Sequence, residues 1–553
     1  MERKGSMNKS SKINFWTISK IVIFAIFAIF LVWPFIKLFG QALFKDGQFT
    51  LEYFKDFVDL KYYYQTLFRS LLISTVTTIL TVIIGVPLAY LYSRFKLYGS
   101  KIVNVMIIMS LMSPPFIGAY SWIILLGRNG VITRFLNSIG IGFPSIYGLL
   151  GILLVFTLGL YPYIFLYVSG ALKNIDSSLE EASESLGASK FKRMMSVTFP
   201  VIKPTILAGA IMVFMTSLAD FGTPMLIGEG YKVLPVLAYE EFMSETGGNS
   251  GMAAALSIIV VVVSLSVLLI QKYVVNRRTY FMSGLRPPAQ IELSKGKKIL
   301  ASGILWLVAI ISFLPQIVVI YTSFKNTSGP IFVDGFGLDS YRNIFYKMGS
   351  NITNTFLFSA ISMVLIVIFA VITAYMITKK RGVSSSILDL LVMFPYVIPG
   401  AVMGISLLIT FNKPPLMIAG TPLIMIIAYT IRKMPYTVRS SSAILQQMDS
   451  SVEEAAISLG DSPMKSFLKV TSRIMLPGII SGAILSWIST INELSSSIML
   501  YSGRTSTIAV AIYTEAMRAS FGTAAALASI LTVATILSFV VFRIISKGKV
   551  SVV

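Results

Sequence analysis

Two acidic residues in apolar surroundings are the first candidates for chemistry in this sequence. Asp220 and Glu493 are 273 positions apart, and each lies inside or at the outer end of a long apolar segment. Ionisable groups are costly in a membrane-spanning segment and usually have a function there. A symmetric pair of carboxylates would favour a cation, or it would hold a gate closed through hydrogen bonds. Alternatively, each carboxylate faces an interface or pairs with a nearby lysine or backbone amide.

The same interval of 273 residues separates two copies of a longer acidic motif. Asp–Ser–Ser, Glu–Glu–Ala and Leu–Gly recur in both copies in the same order and without a gap. An Asp or Ser supplies a helix N-cap, carboxylates in the first turns suit the helix dipole, and glycine commonly ends a helix. A second short helix follows each glycine, so each copy predicts a compact two-helix knob. The candidate residues are Glu180, Glu181, Ala182 and Gly187 in the first copy and Glu453, Glu454, Ala455 and Gly460 in the second.

The residue types that the sequence lacks exclude several kinds of chemistry. There is no histidine and no cysteine, which excludes disulfides, thiolate metal sites and imidazole acid–base catalysis. A bound metal would need oxygen ligands, and we expect no metal, no cofactor and no catalytic residue in this chain. No segment resembles the Gly-x-x-x-x-Gly-Lys-Ser/Thr loop that binds phosphates, so any ATP must be hydrolysed by another chain. Without clustered intramembrane carboxylates, a membrane enzyme is not expected either.

Composition indicates the elements that must position these groups. The 553 residues are 55% hydrophobic and only 13% charged, with a mean hydropathy of +0.80, and a soluble domain of this length would need more surface charge. The net charge of +22 would suggest nucleic-acid binding in a soluble protein. Here Lys and Arg gather in short segments between apolar runs, as in cytoplasmic loops of membrane proteins. The sequence therefore predicts an integral membrane protein in contact with lipid, with no nucleic-acid partner.

Apolar runs cut at charged or Pro/Gly-rich breaks predict about twelve membrane-spanning helices of roughly 20 residues each. Basic residues precede the first run at Lys4, Lys9 and Lys12 and follow the last at Lys547 and Lys549. This charge pattern places both termini in the cytoplasm of a multi-pass cell-membrane protein. The first run is too long for a cleaved signal peptide and is expected to be a retained span. The predicted spans are 16–40, 66–92, 102–126, 147–171, 203–227, 252–274, 299–321, 353–378, 386–410, 417–436, 477–500 and 523–546.

An internal repeat organises these spans. At the same interval of 273, Pro162–Tyr163 aligns with Pro435–Tyr436. Polar residues, glycines and prolines would not align without a gap through shared hydrophobicity alone, so the chain is a duplication. We predict an all-α fold of two homologous six-helix halves, 1–275 and 299–553, joined by a basic cytoplasmic linker, 276–298. Halves with an even number of spans insert in the same orientation, which predicts a pseudo-twofold axis along the membrane normal and a pathway between them.

One knob alone could be an ordinary capped helix with a solvated charged face, but two copies at equal positions indicate a shared role. The repeated Glu–Glu–Ala and Leu–Gly pattern, followed by a proline-containing turn, resembles the cytoplasmic signature of binding-protein-dependent ABC importer permeases of the maltose- and methionine-permease-like type. The resemblance covers nearly the whole chain. It implies that the knobs are coupling helices that dock into two copies of an ABC ATPase subunit. It also implies that an extracytoplasmic binding protein delivers substrate to outer loops around 228–250 and 501–522.

The second copy departs from this pattern at one position. Arg473 stands where the first half has Pro200, and only Pro477 remains of the paired prolines. Because proline removes a backbone donor and breaks a helix, we expect the turn in the second half to be less sharply bent. The two docking sites need not then be equivalent.

Fused double permeases of this length resemble the ferric-iron importers. Three segments carry this resemblance: Ala219–Pro224, Leu234–Val236 and Gly247–Met252. It implies ferric iron as the substrate, and related systems that import 2-aminoethylphosphonate, thiamine or polyamines give the alternatives. An ion-coupled secondary transporter with two six-span halves is the rival class. Such a protein would work without partners and would need no matched knobs.

Overall fold

The computed structural model describes residues 15–142, 144–244, 248–276, 288–329, 331–380 and 382–545. Several features used above lie outside these ranges: the basic residues near both termini, Gly247, and residues 277–287 of the predicted linker. Where the linker is described again, Ile291 forms a bridge with Phe95 of the first half. The first helix of the second half then begins at Lys295.

Helices dominate the described part of the first half. Lipid offers no hydrogen-bond partners, so a segment that crosses it must satisfy its backbone internally, and a helix does so. The helices are α1 Phe15–Phe27, α2 Trp33–Leu43, α3 Glu52–Asp59, α4 Lys61–Arg94, α5 Ser100–Met112, α6 Pro115–Leu126, α7 Val131–Ser138, α8 Leu149–Lys173, α9 Ser177–Ser185, α10 Lys190–Arg193, α11 Phe199–Ala219, α12 Gly222–Ile227, α13 Leu234–Met243 and α14 Ser250–Asn276.

The second half repeats most of this order. A two-stranded hairpin follows the first span of each half: β1 Phe44–Lys45 with β2 Gln48–Phe49, and β3 Lys325–Ser328 with β4 Ile331–Phe336. Three π-helical turns, Ala28–Val32, Met194–Thr198 and Phe467–Thr471, lie within longer helical segments. The remaining helices are α15 Lys295–Ser323, α16 Asp339–Lys347, α17 Gly349–Lys379, α18 Val383–Val397, α19 Gly400–Phe411, α20 Pro422–Gln447, α21 Ser450–Ser458, α22 Pro463–Ser466, α23 Ser472–Ile491, α24 Ser497–Leu500, α25 Ile508–Met517 and α26 Phe521–Ile545.

The number of spans differs from the prediction of twelve. Among the described residues, nine helices are long and apolar enough to cross a membrane, or up to eleven if each of two bent helix pairs forms one span. Helix α20 is 26 residues long, but it contains three charged residues, Arg432, Lys433 and Arg439. It is therefore not among the helices that are apolar enough to be counted as membrane spans. The exact count of twelve is therefore not confirmed.

Two predicted spans, 102–126 and 386–410, are broken rather than continuous. The chain bends by 103° between α5 and the helical segment that follows it, and by 108° between α18 and α19. Pro114 and Pro399 stand at these bends, and the residue before each has extended backbone dihedrals. Proline disfavours the helical conformation of the preceding residue, so each predicted span stops there.

The predicted spans 203–227 and 477–500 are also wrong as continuous helices. Helix α11 ends at Ala219 and the short helix α12 follows, while α23 ends at Ile491 and the short helix α24 follows. We call the connections 220–221 and 492–496 the first and second breaks. They contain the two carboxylates that the sequence marked as unusual.

The halves interlock through their first helices. The first span, Phe15–Leu43, consists of α1, a π-helical turn and α2, and it packs against α17 and α19 of the second half. In return, α15 packs against α5 and α6 of the first half. At one end of this contact, Trp16 stacks on Tyr375 with ring centroids 4.4 Å apart. Each half therefore completes the packing of the other.

Candidate functional site

The first knob, residues 177–198, folds as its local sequence dictates. Asp176 caps α9, and its Oδ1 accepts a hydrogen bond of 3.0 Å from the backbone N–H of Ser178. Gly187 follows α9 with a φ of +79°, a conformation that glycine adopts without steric cost. Ser189 then caps α10 by accepting from the N–H of Lys192 at 3.3 Å. Two capped helices joined at a glycine give the compact shape that the motif predicts.

The second knob, residues 450–471, reproduces these elements at the interval of 273. Asp449 accepts from the N–H of Ser451 at 2.9 Å, and this backbone hydrogen bond holds the pKa of the Asp449 carboxyl below its usual range. Gly460 has a φ of +98°. Ser462 accepts from the N–H of Lys465 at 3.4 Å. The local folding instructions are thus present in both copies.

The two glutamates of each knob point in different directions. Glu180 forms an ion pair with Arg94 at the end of α4 and accepts a 2.7 Å hydrogen bond from Thr198. Its counterpart Glu453, only 8% exposed, accepts a hydrogen bond from the hydroxyl of Tyr375 on α17. In both knobs the first glutamate therefore ties the knob to the end of a long helix. The second glutamate of each pair, Glu181 or Glu454, is exposed, as are Ala182, Ala455, Gly187 and Gly460.

Apolar side chains are exposed at the same end of each knob. Leu186 and Leu459, directly before the two glycines, are each 89% exposed. Phe191 in the first knob and Leu468 in the second are exposed as well. Exposed apolar residues that cluster on a polar surface mark a site of contact with another protein or with a membrane.

Replacing Pro200 by Arg473 leaves the boundaries of the elements unchanged. A π-helical turn precedes α11 at 194–198 and α23 at 467–471, again at the interval of 273. Pro200 therefore lies inside a helical segment that is continuous from Lys190 to Ala219, just after the π-helical turn. The same turn precedes α23 although Arg473 stands there, so the turn does not depend on a proline at this position, and the expected difference in bending stays a prediction.

The carboxylates at the two breaks play the same local role. The Oδ1 of Asp220 accepts a 2.8 Å hydrogen bond from the N–H of Thr223. The Oε1 of Glu493 accepts from the N–H and from the hydroxyl of Ser496, both at 3.0 Å. Each carboxylate thus satisfies a backbone donor at the start of a short helix. In both cases the carboxylate lies three residues before the residue whose N–H it accepts. The sequence alone does not reveal this pattern, because it does not show that a helix is interrupted at these positions.

The second break also contains a buried set of charges. Glu493, 6% exposed, pairs with Arg432 and with Lys433, whose Nζ is 2.5 Å from its Oε2. The first half has Gly159 and Leu160 at the corresponding positions. The two breaks are therefore alike in backbone geometry but different in charge. Sequence reasoning did not single out Arg432 and Lys433, although two cations inside an apolar helix are a visible signal.

Comparison with known proteins identifies the family. Residues 81–280 and 366–550 match the family described as the binding-protein-dependent transport system inner membrane component. The chain belongs to this family. Each matched segment contains one knob and one break, so the permease has the family unit twice. It is a multi-pass inner-membrane protein whose family works with a binding protein and an ATPase.

Three curated relatives of this permease cover most of the chain. A putative ferric transport system permease protein of Haemophilus influenzae is 27% identical over 497 residues, which are 88% of this chain and 78% of the relative. A ferric transport system permease protein of Actinobacillus pleuropneumoniae is 27% identical over 515 residues, 91% of this chain and 74% of the relative. A probable ABC transporter permease protein of Sinorhizobium fredii is 23% identical over 567 residues, 99% of this chain and 98% of the relative.

Tyrosines gather between the halves of the permease. Tyr163 on α8 and Tyr436 on α20, which the repeat aligns with each other, lie close enough to interact electrostatically, together with Tyr167 and Tyr396. The rings of Tyr396 and Tyr436 have centroids 5.6 Å apart. The hydroxyl of Tyr396 donates to the Sδ of Met212 at 3.1 Å. Within the described ranges, no group of three or more acidic residues is placed to hold a metal ion.

Proposed function

We propose that this chain is the permease subunit of an ATP-driven importer that takes up ferric iron from an extracytoplasmic binding protein. The observation that carries the proposal is the matched pair of knobs, each with a highly exposed leucine beside a positive-φ glycine. A protein that worked alone would gain nothing from exposing these side chains twice. Relatives that are ferric transport permeases and that align along most of the chain support ferric iron as the substrate.

In this proposal, two copies of an ABC ATPase subunit dock on the knobs. Leu186 and Leu459 enter the docking clefts, and Glu181 and Glu454 contact basic groups of the ATPase at their rims. Movement of the ATPase subunits reaches the spans through the two anchored glutamates. Glu180 pairs with Arg94 of α4, and Glu453 accepts a hydrogen bond from Tyr375 of α17. Because the anchors lie on different halves, closure of the two ATPases would rock the halves against each other.

The direction of transport follows from the placement of the knobs. Both termini, the linker and the knobs lie on the cytoplasmic side, since basic residues collect there. ATP is hydrolysed by the partner subunits, and the permease binds no cofactor and performs no chemistry itself. Asp220 and Glu493 then belong to the outer half of the pathway, where they hold the broken helices in position and can act as part of a gate.

The rival interpretations make different predictions. A permease for 2-aminoethylphosphonate, thiamine or polyamines would keep the knobs and the ATPase but would transport a different ligand. An ion-coupled secondary transporter would transport without any ATPase, and its activity would be indifferent to the knobs.

Charge reversal in the knobs tests the proposal. The permease, its ATPase and its binding protein would be reconstituted in proteoliposomes, and uptake of radioactive iron and ATP hydrolysis would be measured. We expect the double variant Glu181→Lys and Glu454→Lys to lose most of the ATP hydrolysis that the ferric-loaded binding protein stimulates, because like charges across an interface are strongly unfavourable.

The matched control is Glu292→Lys, a charge reversal in the linker outside both knobs. Glu292 is exposed and pairs with Lys298 at 2.7 Å and Lys96 at 3.5 Å, and exposed pairs contribute little to stability. This variant should couple normally. Iron uptake in the absence of the ATPase, or normal coupling in the double variant, would show that the chain is not an ABC permease of the proposed kind.

A further inference from the structure

Three of the four tyrosines between the halves lie on two helices, Tyr163 and Tyr167 on α8 and Tyr436 on α20, and Tyr396 lies near the end of α18. Gly159, Tyr163 and Tyr167 are spaced by four residues along α8, as are Arg432 and Tyr436 along α20, and residues four apart share one face of a helix. All five are only partly buried. A Cβ placed on Gly159 would meet no atom within 4 Å, so this face has open space beside it.

This face lies at mid-depth in both helices. Tyr163 and Tyr436 each follow the first residue of their helix by fourteen positions, which corresponds to about 21 Å along the axis. Helix α8 packs on α4 and α11, whereas α20 packs on α17 and α23. The main packing partners of these two helices thus lie within their own halves, and Tyr163 and Tyr436 are close enough to interact across the space between them.

A helix break adjoins the tyrosines. Tyr396 is one residue before Val397, where α18 ends and the chain bends by 108° into α19. Irregular backbone at membrane depth is tolerated only where it is buried in protein or lines a water-filled cavity. The break thus adjoins the pair Tyr396 and Tyr436, and the open space at Gly159 is one helical turn from Tyr163 on the same face of α8.

Oxygen is the donor atom that these residues offer. The sequence has no histidine or cysteine, and the carboxylate of Glu493 is already held by Arg432 and Lys433. The hydroxyl of Tyr396 donates to a thioether, which is a weak acceptor. A phenol with so weak a partner exchanges it readily for a better one.

We propose that Tyr163, Tyr436, Tyr167 and Tyr396 form a transient binding site for a trivalent, oxygen-preferring metal ion on its way between the halves. The inference rests on the proposed transport of ferric iron and names the site that the ion occupies. A hydrolysed ferric ion carries hydroxide. As the bond from a phenol oxygen to iron forms, the phenol O–H bond breaks and its proton converts the hydroxide into a departing water. Iron remains in the ferric state, and no other reactant is needed.

The charges near the site are compatible with such an ion. Arg432 and Lys433 are balanced by Glu493 and Asp220, which are close enough to each other to interact. The four groups together carry no net charge when all are ionised. A ferric ion that is already partly neutralised by hydroxide would meet no strong repulsion there.

The test compares two double variants in the assembled transporter. Tyr163→Phe with Tyr436→Phe removes two hydroxyls of the site and keeps the rings. Tyr161→Phe with Tyr429→Phe is the matched control on the same two helices, since those hydroxyls bond to Ser312 and Ser497 instead. Uptake of radioactive iron from the ferric-loaded binding protein is measured in proteoliposomes. We expect a loss of about tenfold in the first variant and little change in the control, where tenfold corresponds to about 1.4 kcal/mol.

A spectroscopic measurement accompanies the transport assay. Ferric nitrilotriacetate added to the detergent-solubilised full chain should produce the visible charge-transfer absorption of a ferric phenolate. This band should be much weaker in the first double variant, which keeps only Tyr167 and Tyr396 of the four phenols. The single variant Tyr396→Phe removes one hydroxyl of the proposed site, whose hydrogen bond in the free protein is the weak one to Met212, and it should weaken both signals. It keeps the test decisive if the double variant does not assemble.

Each result has a distinct meaning. Suppose that the wild-type transporter takes up iron. Unchanged uptake in the double variant Tyr163→Phe and Tyr436→Phe, or the absence of a ferric phenolate band from the wild-type chain, would then overturn the site. The proposed function would stand, and the tyrosines would only pack the halves together. A wild-type transporter that moves no iron would overturn both.

Discussion

The carboxylate of Glu493 stands between the buried Lys433 and the partly buried Arg432, and each of the three charges depends on the other two. An ion pair in a region of low dielectric gains Coulomb energy, but each ion loses its hydration. Hydrogen bonds from the N–H and hydroxyl of Ser496 satisfy the remaining capacity of the carboxylate. The set is therefore favourable only when it is complete. Asp220 performs the same capping task in the first half through its bond to Thr223, without flanking cations in the sequence.

Removing the charge of Glu493 should reveal this dependence. We expect Glu493→Gln to destabilise the chain by about 3–5 kcal/mol, because Arg432 and Lys433 would lose the one carboxylate with which both form ion pairs. Asp220→Asn is the matched control, since about 1 kcal/mol is at stake in its hydrogen bond to the N–H of Thr223. The apparent midpoint of thermal unfolding in detergent measures both. Equal losses in the two variants would contradict the interpretation of the cations as partners.

At the residue scale, the sequence showed which carboxylates are unusual, but it did not show which side chains they contact. It marked Asp220 and Glu493 because carboxylates are rare in apolar segments. It could not tell that Glu180 is paired and Glu181 is exposed, because both lie in the first turns of the same short helix. The difference between them arises from which side chains of the neighbouring long helices are within reach. The partners Arg94 and Tyr375 come from other parts of the chain.

At the scale of elements, each knob depends on the backbone conformation of one glycine. Gly187 and Gly460 have φ values of +79° and +98°. A Cβ at either position would meet no atom within 4 Å. The conformation of the backbone, rather than crowding, therefore opposes any larger residue there.

Alanine at these glycines should loosen the knobs. We expect Gly187→Ala and Gly460→Ala to destabilise their knobs by about 1–2 kcal/mol each, the cost of a left-handed conformation for a residue with a Cβ. Faster amide exchange in α9 and α21, followed by mass spectrometry, would measure this. Gly170→Ala is the control: it has the same open space but lies within α8, where alanine favours the helix by up to about 1 kcal/mol. Unchanged exchange in both knobs would show that the glycine conformation is not what shapes them.

The interruptions of four predicted spans were not predicted from the sequence, and the reason lies in how spans are recognised. Hydropathy averaged over a span does not respond to a single proline or capping carboxylate, so 102–126, 203–227, 386–410 and 477–500 each read as one helix. The chain can interrupt them because Asp220 and Glu493 satisfy donors at two breaks and surrounding helices bury the others. Pro114 and Pro399 were visible in the sequence, but proline is also tolerated inside spans such as α8 and α20.

At the scale of the whole molecule, the two halves cannot be separated without exposing packed surfaces. The first span covers α17 and α19 of the second half, and α15 covers α5 and α6 of the first. Trp16 lies between Tyr375 and Phe467, with ring centroids at 4.4 and 5.0 Å. The N-terminal helix thus touches the same tyrosine that anchors the second knob.

Cutting the chain within residues 277–287 should therefore leave a complex. We expect the two halves, produced together as separate chains, to purify as a one-to-one assembly, because each supplies a helix that the other needs. Affinity capture of a tagged first half and quantification of the second half test this. Two halves that purify independently as stable, folded proteins would contradict the interlocked arrangement.

The sequence by itself determined the membrane environment, the duplication and the two knobs, since composition, a fixed interval of 273 residues, N-caps and glycines are local properties. Only the tertiary structure decided which glutamate of each pair is exposed, which cations meet Glu493, and that Tyr163 and Tyr436 come together between the halves. These contacts depend on which helices become neighbours. Apolar helices carry nearly the same pattern on every face, so the choice of neighbours is made by packing across the whole molecule.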